Sequence, residues 1–99
     1  MHIITKRRLR EFWMVHPEAK TSLQLWYTRT KHASWRNFVE LRTLFPSADL
    51  VGKFTVFDIK GGSYRLICRV EYELQKVFIR YVLTHEEYDQ QKWKNDEWY

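Results

Sequence analysis

The stretch KFTVFDIKGGSYRLICRVEYELQKVFIRYVLTHEE, residues 53–87, decides the fold. Its apolar residues alternate with polar ones at a period of two, the mark of strands with two different faces. Lys53–Ile59 reads as one strand, Ser63–Glu71 as the next and Lys76–Leu83 as the third. Gly61-Gly62 makes the first turn, because glycine accepts the positive φ that tight hairpins need. Glu73-Leu74-Gln75 makes the second. Alternation puts Tyr64, Leu66, Cys68 and Val70 on one face, with Val77, Ile79, Tyr81 and Leu83 beside them. The other face then carries Arg65, Ile67 and Arg69, with Phe78, Arg80 and Val82. Thr84 followed three residues later by Glu87 has the form of a capping box, which starts a short helix from His85 to about Lys94.

Upstream the period is helical. His2–Ile4 suits a short edge strand, and Thr5 suits the N-cap of a helix from Lys6 to about His16. Leu9, Phe12, Trp13 and His16 share one face of it; Lys6, Arg7, Arg10 and Glu11 form the wet side. Pro17 fits the first turn of a second helix running to about His32, with Leu23, Trp26, Tyr27 and Thr30 along its apolar face. Ser34–Asn37 reads as a connection. Phe38–Leu44 reads as a third helix, stopped at Phe45-Pro46 because the residue before proline avoids the helical region. The expected architecture is α+β: helices on one face of a twisted antiparallel sheet, a short C-terminal helix, and a basic, partly aromatic opposite face.

Size and charge bound the function. Ninety-nine residues fit one domain. Cys68 is the single cysteine, and the four histidines stand far apart, so neither a disulfide nor a zinc site is expected. No signal peptide or transmembrane run is visible, which makes a reducing cytoplasm the expected location. The net charge is +5, and its distribution is uneven. Residues 1–50 hold nine Lys and Arg against four Asp and Glu, while residues 51–99 hold eight against eight. A basic first half suits an anionic partner such as nucleic acid, an acidic protein or a membrane surface, and charge alone does not choose among them.

Four motifs in order resemble one known family. Phe45-Pro46-Ser47-Ala48-Asp49, then Val56 to Leu66 through the Gly61-Gly62 turn, is similar to the signature stretch of HigB-type toxins of the RelE-like superfamily. Ile79 to Asp89 is similar to that family's closing segment. The opening Arg8 to Trp13 with His16-Pro17, and the later Trp26-Tyr27 and Ser34-Trp35, fit as well. The resemblance covers roughly residues 2–90. Gly62 stands where relatives often have asparagine, and the tail from Trp93 to Tyr99 matches no family pattern.

The resemblance implies a RelE-like fold and a toxin of a type II toxin–antitoxin system. Such a protein is a ribosome-dependent mRNA endoribonuclease that inhibits bacterial translation. Its implied partners are the 70S ribosome with mRNA and a HigA-type helix-turn-helix antitoxin, through which alone it would reach operator DNA. No cofactor and no membrane are implied.

Cleavage of RNA through its own 2′-OH requires proton removal, stabilisation of a dianionic phosphorane and proton donation to the leaving oxygen. Arg65 and Arg80 are the leading candidates. A guanidinium fork matches two phosphate oxygens, and the resemblance implies functional arginines at both positions. The plain alternative is a solvated sheet arginine paired with Glu71 or Glu73. Lys60, just before the hairpin turn, suits a general base or a phosphate clamp, or is an ordinary turn lysine. His85 opens the last helix after the strand carrying Arg80, and a histidine can give or take a proton near neutral pH. Tyr88 shares a helix face with His85, so it can stack on a base, orient the scissile phosphate or simply close the core edge. Lys53, Arg69, Arg7, Arg8 and Arg10 suit contacts to ribosomal RNA, or serve solubility. A non-catalytic RNA-binding domain is the competing reading. A pure binder has no use for a titratable His85 beside the arginines. A DNA-binding regulator fits least, since no helix-turn-helix pattern is visible.

Overall fold

The computed structural model describes residues 1–99. Strand β1 (His2–Ile4) leads into α1 (Arg7–Val15). A 3-10 turn at Pro17–Ala19 then feeds α2 (Lys20–Lys31), followed by α3 (Phe38–Leu44). The chain next lays down β2 (Asp49–Val51), β3 (Phe54–Ile59), β4 (Tyr64–Glu71) and β5 (Lys76–Thr84). It ends in α4 (His85–Asp89) and a 3-10 turn at Lys92–Asn95. The class is the α+β one expected. No helix is long and apolar enough to cross a membrane.

The five strands lie in the order β1-β5-β4-β3-β2. β2 through β5 form an antiparallel meander, but β1 pairs β5 in parallel, through His2 with Lys76 to Ile4 with Phe78. The sheet is therefore mixed rather than purely antiparallel. Three helices separate β1 from the meander, so no hairpin constrains its direction.

The main core lies between the helices and one face of the sheet. Leu9, Leu23, Trp26 and Leu41 meet Phe57, Ile59, Leu66, Cys68, Val77 and Ile79 there. Each such aliphatic side chain stabilises by roughly 1.5–3 kcal/mol when fully buried. Burial also pushes the Cys68 thiol well up, which makes it an inert core residue.

The alternation read from β5 breaks at a β-bulge. Ile67 pairs Tyr81, but the next pair is Cys68 with Ile79, which leaves Arg80 as the extra residue. Arg80 and Tyr81 consequently point to the same side, where both reach Asp96. Beyond the bulge the phase is reversed. Tyr81 and Leu83 turn away from the helices, and Val82 packs on the main core instead. Arg80 itself lies on the face expected for it.

That second face is not an open basic surface. Phe54, Val56 and Ile67 form a smaller core with Trp93, and Tyr81, Leu83, Tyr88, Trp98 and Tyr99 pack around it. The C-terminal tail thus covers much of the surface that alternation alone leaves bare.

Helix ends differ in detail from expectation. Thr5 takes a left-handed φ of 72° to turn the chain out of β1, and Lys6 becomes the N-cap of α1 with no side-chain bond. At α3 the Asn37 side chain accepts the Glu40 N–H at 3.0 Å. The Thr84–Glu87 capping box is complete, with bonds of 3.1 and 2.9 Å. The helix it starts ends at Asp89, because Gln91 adopts a left-handed φ of 60° and redirects the chain across the sheet.

Candidate functional site

Arg65 lies opposite Asp58 in the β3–β4 register, and its Nε sits 3.2 Å from the Asp58 carboxylate. Its Nη1 donates to the carbonyls of Gly62 and Tyr64, the latter at 3.3 Å. The guanidinium also stands 5.3 Å from the centre of the Tyr88 ring. Gly62 has φ +90°, and a Cβ there would meet Arg65 Nη1 at 3.4 Å, so a side chain at this turn would strain the backbone and press on the arginine. Sequence reasoning missed Asp58. The signal was available, because a carboxylate facing an arginine across a hairpin is an expected cross-strand pair.

Tyr88 stacks on Trp93, with ring centres 5.2 Å apart and planes at 14°. The Trp93 indole N–H donates to the Tyr88 carbonyl at 3.0 Å. Burial raises the Tyr88 hydroxyl pKa, while the nearby Arg65 charge acts to lower it. His85 is tied to the hairpin through its backbone N–H, which donates to the Ser63 carbonyl at 3.2 Å. Its exposed ring approaches Asp89, with Nε2 3.2 Å from a carboxylate oxygen. Arg65, Tyr88 and His85 therefore gather where the β3–β4 hairpin meets the start of α4.

Lys60 sits at the hairpin with φ 52°. It lines a hollow of about 250 Å³ with Ser22, Arg29 and Asp58. Its charge acts on Glu18, which belongs to a polar cluster on the helix side. There the Tyr64 hydroxyl donates to Glu18, and His16 Nδ1 lies 3.8 Å from the same carboxylate. That hydrogen bond lowers the Glu18 pKa and raises that of Tyr64. Sequence reading assigned Tyr64 to the core face and His16 to the α1 packing face. It did not anticipate Glu18, which follows His16 by two residues but lies 46 residues before Tyr64.

Arg80 belongs to a different part of the same face. Arg65 registers with Leu83, three residues beyond Arg80, or about 10 Å along the strand. Arg80 donates through Nε and Nη2 to one Asp96 oxygen at 3.1 and 2.5 Å. Its guanidinium lies 3.9 Å from the Trp98 ring centre. The fold thus brings together three of the five candidate catalytic residues, holds Lys60 at the neighbouring turn, and engages Arg80 with the tail.

The candidate RNA- or ribosome-contacting residues are dispersed. Lys53 lies in the β2–β3 turn, its N–H donating to the Tyr99 carbonyl at 3.0 Å. Arg69 pairs with Glu71 at 2.9 Å. Arg7 faces Glu11 on the outer side of α1, Arg8 donates to the Arg80 carbonyl, and Arg10 lines a hollow between α1 and α2. No three His, Cys, Asp or Glu side chains gather as a metal-holding group.

A guanidinium fixed by backbone carbonyls, with a tyrosine ring against it and an exposed imidazole at the same hairpin–helix junction, suits binding a phosphodiester and moving a proton. The comparisons place a chain with this α+β fold in the RelE-like class of small toxins. Residues 19–91 match a family profile described as HigB_toxin, RelE-like toxic component of a toxin-antitoxin system. The chain is 34% identical over 92 residues to the mRNA interferase toxin HigB of Escherichia coli K12, covering 90% of this chain and 88% of that one. It is 29% identical to mRNA interferase HigB of Escherichia coli O6:H1, covering 90% and 89%. The chain belongs to the HigB toxin family.

Proposed function

We propose that this protein is a cytoplasmic mRNA endoribonuclease that cuts messages in the ribosomal A-site and is neutralised by a HigA-type helix-turn-helix antitoxin. The observation that carries the reading is the cluster of Arg65, Tyr88 and His85 at the hairpin–α4 junction, in a chain of the HigB family. Arg65 binds the scissile phosphate and stabilises the charge that develops on it. Asp58 and the Gly62 carbonyl hold that guanidinium in place. Tyr88, backed by Trp93, sets its ring against the Arg65 guanidinium and orients the scissile phosphate. His85 exchanges a proton with the reacting oxygens. The 2′-oxygen attacks the adjacent phosphorus as its proton is removed. The 5′-oxygen leaves as it is protonated, giving a 2′,3′-cyclic phosphate and a 5′-hydroxyl. Lys60 and Arg80 serve as further phosphate contacts, and Lys53, Arg69, Arg7, Arg8 and Arg10 as contacts to ribosomal RNA. Operator DNA is reached only through the antitoxin.

Expression without a partner tests the reading in cells. The free chain should arrest growth, and co-expression of its antitoxin should relieve the arrest. Normal growth with folded, soluble toxin present would contradict the proposal.

A further inference from the structure

Beyond the family match, Asp96 and Trp98 pack on Arg80. The matched region stops at residue 91, yet residues 96–99 make some of the most specific contacts on the sheet. The Asp96 side chain is only 3% exposed and takes three side-chain hydrogen bonds, two from Arg80 and one from the Tyr81 hydroxyl at 2.8 Å. Trp98 lies flat enough on Arg80 for a cation–π contact and meets Phe78 edge-on at 5.6 Å. Its backbone N–H donates to the other Asp96 oxygen at 2.7 Å. Arg69 registers with Phe78 on the same face. The surface beneath the tail therefore interleaves Arg69, Phe78, Arg80 and Tyr81.

We propose that Asp96 and Trp98 occupy a nucleotide subsite: Asp96 stands where an RNA phosphodiester binds Arg80 and Tyr81, and the Trp98 indole stands where a base stacks on Arg80 and Phe78. Tail and single-stranded RNA then compete for one surface. The inference rests on the RNA reading proposed above. Three features support it. A guanidinium that grips a carboxylate presents the same donors to a phosphate. Arginine beside an aromatic ring is a sequence-tolerant platform for an unpaired base. A purely structural cover needs only apolar residues, since a buried ion pair does not by itself favour folding over a well-packed apolar substitute. Trp93, 4% exposed, anchors the root of the tail by packing in the second core, apart from the Asp96 side chain. A tail closed over the subsite about nine-tenths of the time lowers apparent RNA affinity about tenfold.

The test is fluorescence-polarisation binding of a labelled oligouridylate hexamer to the full chain, its Asp96→Asn and Trp98→Leu variants, and Glu97→Gln as a charge control. Glu97 is exposed, so its neutralisation reports the general effect of removing one negative charge. Thermal melts establish that each variant is folded. Asp96→Asn and Trp98→Leu should each tighten binding about tenfold, with little change for Glu97→Gln. Adding Arg80→Ala should abolish the gain, and an RNA duplex, whose bases cannot stack on the protein, should show none. Equal gains from Asp96→Asn and Glu97→Gln, or no gain from either tail variant while the wild type binds and cleaves, would overturn the tail's role alone. Absence of binding by every variant would overturn the RNA reading and the subsite with it.

Discussion

Tyr88 lies between Arg65 and Trp93, with the guanidinium 5.3 Å from its ring centre and the indole stacked on it at 5.2 Å. This sandwich joins the proposed chemistry to the second core. Trp93→Ala removes a nearly buried indole and the support behind Tyr88 together. It should cost about 3–5 kcal/mol in urea unfolding. It should also weaken cleavage at temperatures where the variant is fully folded. A loss of stability with cleavage unchanged would mean that the Tyr88 ring needs no backing.

Arg65→Ala should lower ribosomal cleavage by about 10²–10³-fold, the scale of losing one preorganised charge stabiliser. Arg65→Lys should not restore it, because a point charge cannot keep the Gly62 and Tyr64 carbonyls and Asp58 while gripping a phosphate. The Arg65–Asp58 pair itself contributes little to folding, since Asp58 is more than a third exposed. The Arg65 side chain, however, is 17% exposed and bonds two carbonyls, so Arg65→Ala should lower the melting temperature modestly while staying folded at assay temperature. Full rescue by lysine would reduce Arg65 to a general positive charge.

Tyr88→Phe should retain stability, because the ring keeps its place on Trp93. If the ring is the part that acts, activity should also stay within about tenfold of wild type, whereas Tyr88→Ala should lose far more. Single-turnover cleavage on ribosomes separates the two. Equal losses in both variants would assign the role to the hydroxyl.

Asp96 carries a pH signature. Burial alone would raise its pKa, but the Trp98 N–H, Arg80 and the Tyr81 hydroxyl outweigh that effect and hold it below its ordinary value. A carboxyl depressed in the folded state contributes stability that is fully present above its unfolded pKa, near 3.9, and is lost as pH falls through the folded value. The stability difference between wild type and Asp96→Asn should therefore be constant at pH 5–7 and shrink below about pH 4. Urea unfolding at a series of pH values measures it. A difference that grows on acidification would contradict the Arg80–Asp96 account.

The Gly61-Gly62 hairpin, the three long strands, the third helix and the Thr84–Glu87 cap were all legible, because each has a local signal in residue type or period. The β2 strand was not: Asp49–Val51 is too short to show alternation. The bulge at Arg80 was hidden for a different reason. Tyr81, Val82 and Leu83 are all apolar, so a shift of phase among them leaves no mark in the pattern. The candidate arginines were found from strand parity and family resemblance, and His85 and Tyr88 from the cap. What held Arg65 and Arg80 was largely missed. Asp58 was within reach of a cross-strand argument, but Asp96 and Trp98 meet Arg80 through tertiary packing of an aperiodic tail.

Cleavage of mRNA on translating ribosomes, compared among wild type, Arg65→Ala and His85→Ala with naked RNA as control, tests the central claim most directly. The account predicts A-site cuts by the wild type, almost none by either variant, and little cutting of naked RNA. Undiminished A-site cleavage by both variants, or no cleavage by a folded wild-type protein that still binds ribosomes, would contradict it.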